Sequence, residues 1–330
     1  MTTNPKKRVL VVDALNLFLR NYIANPSLCA DGLPCGAVKG LLQSLQKISK
    51  EMHPVHEIIL VWDGEGGSKR RKRLNADYKS GRTPSRLNRS VRLLSENDEQ
   101  QNKMDQMCRL ISYLNEMPVV QLRQDNVEAD DLIAYVCKLP QFSGMLKIIV
   151  SSDKDFFQLC NDEVLLYRPM QSEIMNVKRI VEKFGIHPNN FAFARALSGD
   201  DSDNLNGVKG VGLPTVAKRF PFMADKKECD INDIMQYAEE HKGKVTVYDR
   251  VLESKEKILL NYKMMQLYHP SMSPQAHFAV KNIVENYVPT FNQTLTISKM
   301  MLDGFADYNW ENIFQTFRFI VKEHDIKETS

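Results

Sequence analysis

The stretch "KIIVSSDKDF", Lys147–Phe156, sets two aspartates directly behind a run that otherwise reads as a buried strand. Continuous apolar and β-branched residues, rather than an alternation, are the pattern of a strand covered on both faces in a parallel sheet. Two other runs read the same way, "RVLVV" at Arg8–Val12 and "EIILVW" at Glu57–Trp62. Each is followed by acid: Asp13 after the first, Asp63 after the second, Asp153 and Asp155 after the third. Between the runs lie longer helical patterns, so the expected class is α/β, with a mostly parallel central sheet and helices on both faces. In open parallel sheets, binding crevices form at the carboxyl ends of the strands.

A chain of 330 residues, 43% hydrophobic and 26% charged, has apolar material for one large domain or for a large and a small one. The formal charge of +3 names no partner, because a positive stripe can sit within a balanced total. The six cysteines form no C-x-x-C pair, which argues against a zinc ribbon or a disulfide framework. The N-terminal apolar run is short and meets Asp13 at once, and no stretch approaches a membrane span, so a cytoplasmic location is expected.

Two more acidic groups join the strand-end set. In "NVEADDLIAYV", Asn126–Val136, the residues Ala129, Leu132, Ile133 and Val136 make a core-facing stripe. Glu128 and Asp130 flank that stripe, while Asp131 lies almost opposite it. In "SGDDSDN", Ser198–Asn204, three aspartates crowd a turn-rich segment. Singly, an aspartate after a strand is ordinarily a turn former or helix N-cap, and acids at a helix start complement its dipole. Together they pose a different problem, since two carboxylates about 4 Å apart repel by roughly 4 kcal/mol at an effective dielectric near 20. Either their pKa values rise or divalent cations neutralise them, and oxygen-only ligands suit Mg2+ or Mn2+. Two such ions polarise a phosphodiester, activate water and stabilise the leaving oxygen, which points to phosphodiester hydrolysis. No Ser-His-Asp or Cys-His pattern offers a covalent alternative.

Between the second strand and the next long helix, Gly66–Arg92 carries Lys69, Arg70, Arg71, Lys72, Arg73, Lys79, Arg82, Arg86, Arg89 and Arg92 against only Asp77. Such a segment beside an acidic site is suited to phosphate contact. "KRRKR" also resembles a nuclear localisation patch, which leaves a nuclear location open. From Ser80 to Lys103 the composition is polar with few apolar anchors, as in a mobile loop or gate. "NGVKGVGLPTVAKRF", Asn206–Phe220, is no Walker loop, since no Gly-Lys-Ser/Thr follows; its glycines suit close backbone approach to a DNA phosphate.

In order along the chain, "VVDALN", "VWDG" with "DYKSGR", "VEADDLIA", "SSDKDFFQL" and "GDDSDNLNGVKGVG" resemble the structure-specific 5′ nuclease family, the flap endonucleases and 5′-3′ exonucleases with their phage RNase H branch. The resemblance spans roughly Val9 to Phe220. It implies that Asp13, Asp63, Glu128 and Asp130 hold a first metal ion, and Asp153, Asp155, Asp200 and Asp203 a second, with Asp131 supporting. Lys79 and Arg82 match the basic pair that steers the scissile phosphate. Lys69, Arg70, Arg71, Lys72, Arg73, Tyr78 and Arg86, with Gly207, Lys209, Gly210 and Gly212, are the implied DNA contacts. The glycine segment matches the hairpin of a helix-three-turn-helix element, which in relatives grips duplex DNA and often a monovalent cation such as K+.

The chain departs from the pattern at Leu19, where some relatives have a stacking aromatic, and at Pro214, where many carry a lysine. Asp201 adds an acid beside Asp200. The implied organisation is a catalytic part at 1–199, with a helical arch or gate at about 66–103, and a helix-three-turn-helix and helical C-terminal part at 200–330. The expected activity is Mg2+- or Mn2+-dependent cleavage of flaps, nicks or RNA-primed 5′ ends in replication and repair. Expected partners are branched or nicked DNA, RNA:DNA hybrids and single-strand-binding or other replication proteins, with the chain itself a monomer. The alternatives are a ribonuclease on the related PIN-like scaffold, and a DNA-binding scaffold without catalysis.

Overall fold

The computed structural model describes residues 7–91, 94–305 and 310–328. Arg92, counted above in the basic segment, lies outside them. The first half runs β1 (Arg8–Asp13), α1 (Ala14–Ala24), α2 (Gly36–Glu51), β2 (Val55–Trp62), α3 (Lys69–Leu74), α4 (Glu96–Leu114), β3 (Val120–Arg123), α5 (Ala129–Val136), β4 (Leu146–Val150), β5 (Val164–Arg168) and β6 (Glu173–Met175). The second half continues with α6 (Val177–Phe184), α7 (Pro188–Ser198), a two-stranded hairpin of β7 (Gly199–Asp200) and β8 (Leu205–Asn206), and α8 (Leu213–Arg219). Helices α9 (Ile231–Glu240), α10 (Thr246–Glu253), α11 (Lys255–Met265), α12 (Pro274–Glu285), α13 (Gln293–Leu302) and α14 (Glu311–Glu328) follow.

The main sheet has the order β3-β2-β1-β4-β5-β6. Pairs β1–β2, β1–β4, β2–β3 and β4–β5 are parallel, and only β6 is antiparallel to its neighbour. The three strands read from apolar runs are β1, β2 and β4. Their continuity has the expected cause: Val9 and Val11 pack on one face and Leu10 and Val12 on the other, all fully buried. Helices α5 and α7 cover the first face, and α1, α2, α4 and α14 the second.

The core does not stop at the expected 199/200 boundary. Val251, Ile258 and Val280 share a cluster with Val9 and Ile149, while Phe314 and Phe317 share the other with Leu10 and Ile148. The boundary therefore divides the chain by position along the sequence, while packing joins both parts into one body.

The gate segment also differs from its reading. Leu87 is 2% exposed and belongs to the second-face core. Arg86 is ion-paired with Glu96 and Glu99, and Tyr22 Oη donates to the Glu99 carbonyl at 2.8 Å. Helix α4 begins at Glu96, inside the stretch read as a loop, because Ser95 caps it and Glu96, Asp98 and Glu99 fill its first turn.

Candidate active site at the carboxyl edge of the sheet

The chain passes from β1 outward to β2 and β3, then returns to the other side of β1 to lay down β4, so the strand order reverses between β1 and β4. A crevice at such a point lies outside the carboxyl ends of the strands. Asp13 closes β1; its Oδ1 accepts from the Asn16 N–H at 3.2 Å and its Oδ2 from Ser151 Oγ, just beyond β4, at 2.9 Å. Asp63 follows β2 and accepts from the first N–H of α5, that of Ala129, at 3.0 Å. Asp153 Oδ1 accepts from the Asp155 N–H at 2.8 Å. Helix caps and turn formers they are, as each reads singly, yet the fold gathers them on one edge.

Their electrostatics show the gathering. Burial pushes Asp13 up to about 7 against the Ser151 and Asn16 hydrogen bonds, with the charges of Asp63 and Asp153 adding to the rise. Burial lifts Asp130 well above the carboxylate range, and Asp153, Asp13 and Glu128 lift it further against Lys79. Asp153 is raised by burial, against its bond to the Asp155 N–H and the charge of Arg195, with Asp203 and Asp200 raising it further. Asp155 rises to about 7 through burial and Asp153, opposed by Arg195.

Internal cations pair with five of the nine acids. Arg71 binds Glu128 and, at 2.9 Å, Asp131, whose other oxygen accepts from the Ser271 N–H at 2.7 Å. Lys79 Nζ meets Glu128 at 2.9 Å, and Arg82 meets Asp203. Burial raises Glu128, but Arg71 and Lys79 outweigh it and hold the carboxyl below its usual range. Arg195, 8% exposed, joins Asp155 at 2.7 Å to Asp200. Burial raises Asp200 too, and Arg195 with Ser202 brings it below the usual range. Among the described residues, Asp13, Asp63, Asp130 and Asp153 have no ion-pair partner. Nor do three His, Cys, Asp or Glu side chains among them close around one point tightly enough to form a finished cage. Oxygen-only donors without an ion-pair partner, each raised or crowded by neighbouring carboxylates, nevertheless fit hard divalent cations.

The base of the gate and the aspartate loop form one unit. The Lys79 N–H donates to the Asp203 carbonyl at 2.9 Å, Arg82 Nε to the Ser202 carbonyl at 3.0 Å, and Asn204 Nδ2 to the Asp77 carbonyl at 3.1 Å. Lys79 adopts φ 57°, a conformation costing about 1–3 kcal/mol for a residue with a side chain, which the interlock sustains. Asp200 is part-buried and faces Arg195, whereas the adjacent Asp201 is exposed.

Three expected DNA contacts point elsewhere. Arg71 is buried, with Nε donating to the Met264 carbonyl at 2.8 Å, so it serves the interior acids and not an approaching strand. Tyr78 is buried and gives its hydroxyl to Glu128 at 3.2 Å. Arg86 is spent on Glu96 and Glu99. Lys69, Arg70, Lys72, Arg73 and Lys209 are exposed. Arg195 escaped the sequence reading, although a single cation within "NFAFARALS" was a visible signal.

The hairpin glycines separate into different physical roles. A Cβ on Gly207 would lie 2.3 Å from the Ser198 carbonyl carbon, so this glycine serves the chain's own packing. Gly210 holds φ +76°, and Gly212, at the N-cap of α8, faces open space beyond Pro214 Cδ at 3.8 Å. Gly207→Ala should therefore lower the melting temperature strongly, while Gly212→Ala, which clashes with nothing and costs only a poorer N-cap, should lower it far less and weaken binding to duplex DNA. Thermal melts and a duplex titration of both variants check this; equal melting temperatures would contradict the packing role.

A family model described as the 5′-3′ exonuclease, N-terminal resolvase-like domain, matches residues 8–185. A 5′-3′ exonuclease of Aquifex aeolicus is 30% identical over 265 residues, 79% of this chain and 82% of that protein. The thermostable DNA polymerase I of Thermus aquaticus is 34% identical over 217 residues, 65% of this chain but 24% of the polymerase. Among solved structures, the 5′-exonuclease of phage T5 with bound zinc superposes with a TM-score of 0.66 at 18% identity, covering 84% of this chain and 99% of the other. The T5 flap endonuclease in complex with DNA and metal ions gives 0.63 at 16% identity, over 95% and 99% of the two chains.

Proposed function

Because the chain belongs to the 5′-3′ exonuclease family, we propose that it is a divalent-cation-dependent 5′ nuclease acting on flaps, nicks and RNA-primed 5′ ends during DNA replication and repair. The observation that carries this is the set of four acids without an ion-pair partner among the described residues, Asp13, Asp63, Asp130 and Asp153, at the carboxyl edge of the sheet around the point where the strand order reverses. Asp13, Asp63, Glu128 and Asp130 would hold the first of two Mg2+ or Mn2+ ions and Asp153, Asp155, Asp200 and Asp203 the second, with Asp131 supporting. Ions held there would supply activation of a water and stabilisation of charge on the phosphate.

The chain's own residues supply the rest. Lys79 and Arg82, paired with Glu128 and Asp203, would steer the scissile phosphate by transferring their hydrogen bonds to its oxygens. Arg195 fixes Asp155 and Asp200 relative to each other, and Arg71 fixes Glu128. Exposed Lys69, Arg70, Lys72, Arg73 and Lys209 suit phosphate contacts that position without reading sequence. Residues 1–199 are then the catalytic part and 200–330 the part that grips duplex, with K+ at the hairpin and a monomer as the working form. No helix of the described residues is long and apolar enough to cross a membrane.

The test is a Mg2+ titration on 5′-labelled flap, nicked duplex and RNA:DNA hybrid. Cation-dependent cleavage near the junction is expected. Cleavage of RNA alone, indifferent to junctions, would favour a PIN-like ribonuclease; none at any Mg2+ or Mn2+ concentration would leave a binding scaffold. Threading under the gate predicts that a bulky protein on the 5′ end, added before enzyme, blocks flap cleavage. Unimpaired cleavage of the blocked flap would replace threading with an open groove.

A further inference from the structure

Beside the acids, on the β3 side, lies a cavity of about 390 Å3 that the proposed chemistry leaves unused. Leu15 of α1, Trp62 of β2, Met107 and Ile111 of α4 and Leu122 of β3 line it, with Asp63 at its edge. Its size falls within the range of small-ligand sites, and its walls are mainly apolar, with Asp63, Asn115, Gln121 and Arg123 as the polar residues around them. Trp62 is fixed in place, since its indole N–H donates to Gln121 Oε1 at 3.1 Å, while Gln121 Nε2 donates to Asn115 Oδ1 at 2.7 Å. Trp62 is 7% exposed, so it offers the cavity a narrow aromatic edge whose N–H is already engaged. A phosphate is a poor occupant: Asp63 repels it, and the one cation in the lining, Arg123, is paired with Asp125 at 3.2 Å. A neutral, planar nucleobase is a good one.

The sheet order says which base. The aspartate hairpin, joined through Arg195 to Asp155 beyond β4, stands on one side of β1, and the cavity over β2 and β3 stands on the other. Helix α4, which ends the gate segment, supplies one wall. With duplex on the hairpin side, the cavity faces the single strand.

We infer that this cavity receives the base of the nucleotide on the single-stranded, 5′ side of the scissile phosphate, whatever that base is. The inference rests on the nuclease reading above. With Trp62 and Gln121 bonded to each other, the site buries a base without reading its edge, which suits an enzyme that follows structure and not sequence.

Two flaps differing only by a base or an abasic unit at that nucleotide are compared with the wild-type protein and with Met107→Trp, whose larger ring occupies the cavity. In wild type the abasic unit should lower kcat/KM by about tenfold, the scale of one stacked base. Met107→Trp should lower cleavage of the intact flap to a similar degree and abolish the difference between the flaps. If that variant does not fold, Ile111→Phe replaces it. Separately, in EDTA, 5′-phosphorylated oligothymidylate should quench tryptophan fluorescence, and Trp62→Phe should lose the quench; Trp310 is the only other tryptophan. No abasic penalty in wild type, or the same penalty in the filled variant, overturns the inference while cleavage proceeds. Absence of all cation-dependent cleavage would instead overturn the nuclease reading, and the quench, present or absent, would then decide the cavity by itself.

Discussion

Asp130→Asn should abolish cleavage, by at least about 100-fold, while leaving the fold intact and DNA binding equal or tighter. The size follows from what a cation ligand does: even outer partners of a metal site cost about 10 to 100-fold when changed, and a direct ligand costs no less. The effect on binding follows from repulsion. Asp130 sits within the fields of Asp153, Asp13 and Glu128, and an uncharged amide of the same shape relieves them and the incoming phosphates together. Single-turnover cleavage at saturating Mg2+, a flap titration in Ca2+ and a thermal melt of the variant separate the three consequences. Near-wild-type turnover would remove Asp130 from the proposed ligands.

Arg71→Ala should destabilise the protein by about 3–5 kcal/mol, the usual consequence of removing one partner from a buried ion pair. Arg71 is buried between Glu128 and Asp131 and also holds the Met264 carbonyl, so its loss strands two interior carboxylates and an acceptor from α11. Its neighbour Arg70 is exposed, and Arg70→Ala should change stability by no more than about 0.5 kcal/mol. If Arg70 meets a phosphate, the salt slope of DNA binding should fall by about 0.7 to 0.9 in the same variant. Denaturant unfolding and salt-dependent binding of both variants make the contrast measurable. An Arg71→Ala protein as stable as wild type, weaker only in binding, would return Arg71 to the outward-facing set.

That contrast shows where sequence reading reaches its limit. Strands β1, β2 and β4 were legible because burial on both faces demands unbroken apolar runs, and the acids behind them because a strand end is a fixed place. The stripe Ala129, Leu132, Ile133 and Val136 was legible through helical periodicity, and all four are buried. Strand β3, "VQLR", was not: four residues with a central glutamine carry too little pattern. Within "KRRKRL" no composition rule says which cation turns inward; the hint was Leu74, three residues after Arg71 and so on the same helix face. Leu87 is buried in the second-face core and Glu99 against Tyr22 of α1, tertiary contacts that no local pattern encodes. Asp131 was placed away from the core by its helical wheel, yet it is buried, because Arg71 and the Ser271 N–H come to it from distant elements.

If Asp13, Asp63, Asp130 and Asp153, at the carboxyl edge of the sheet, hold divalent cations, the protein takes them up without DNA. Electron paramagnetic resonance of free Mn2+ during titration of the full chain, at low ionic strength and without DNA, tests this most directly. Saturable binding of up to two ions is expected, at least one of them lost in Asp130→Asn and both retained in Arg70→Ala. No Mn2+ uptake by the wild-type protein, or uptake unchanged by Asp130→Asn, would contradict it.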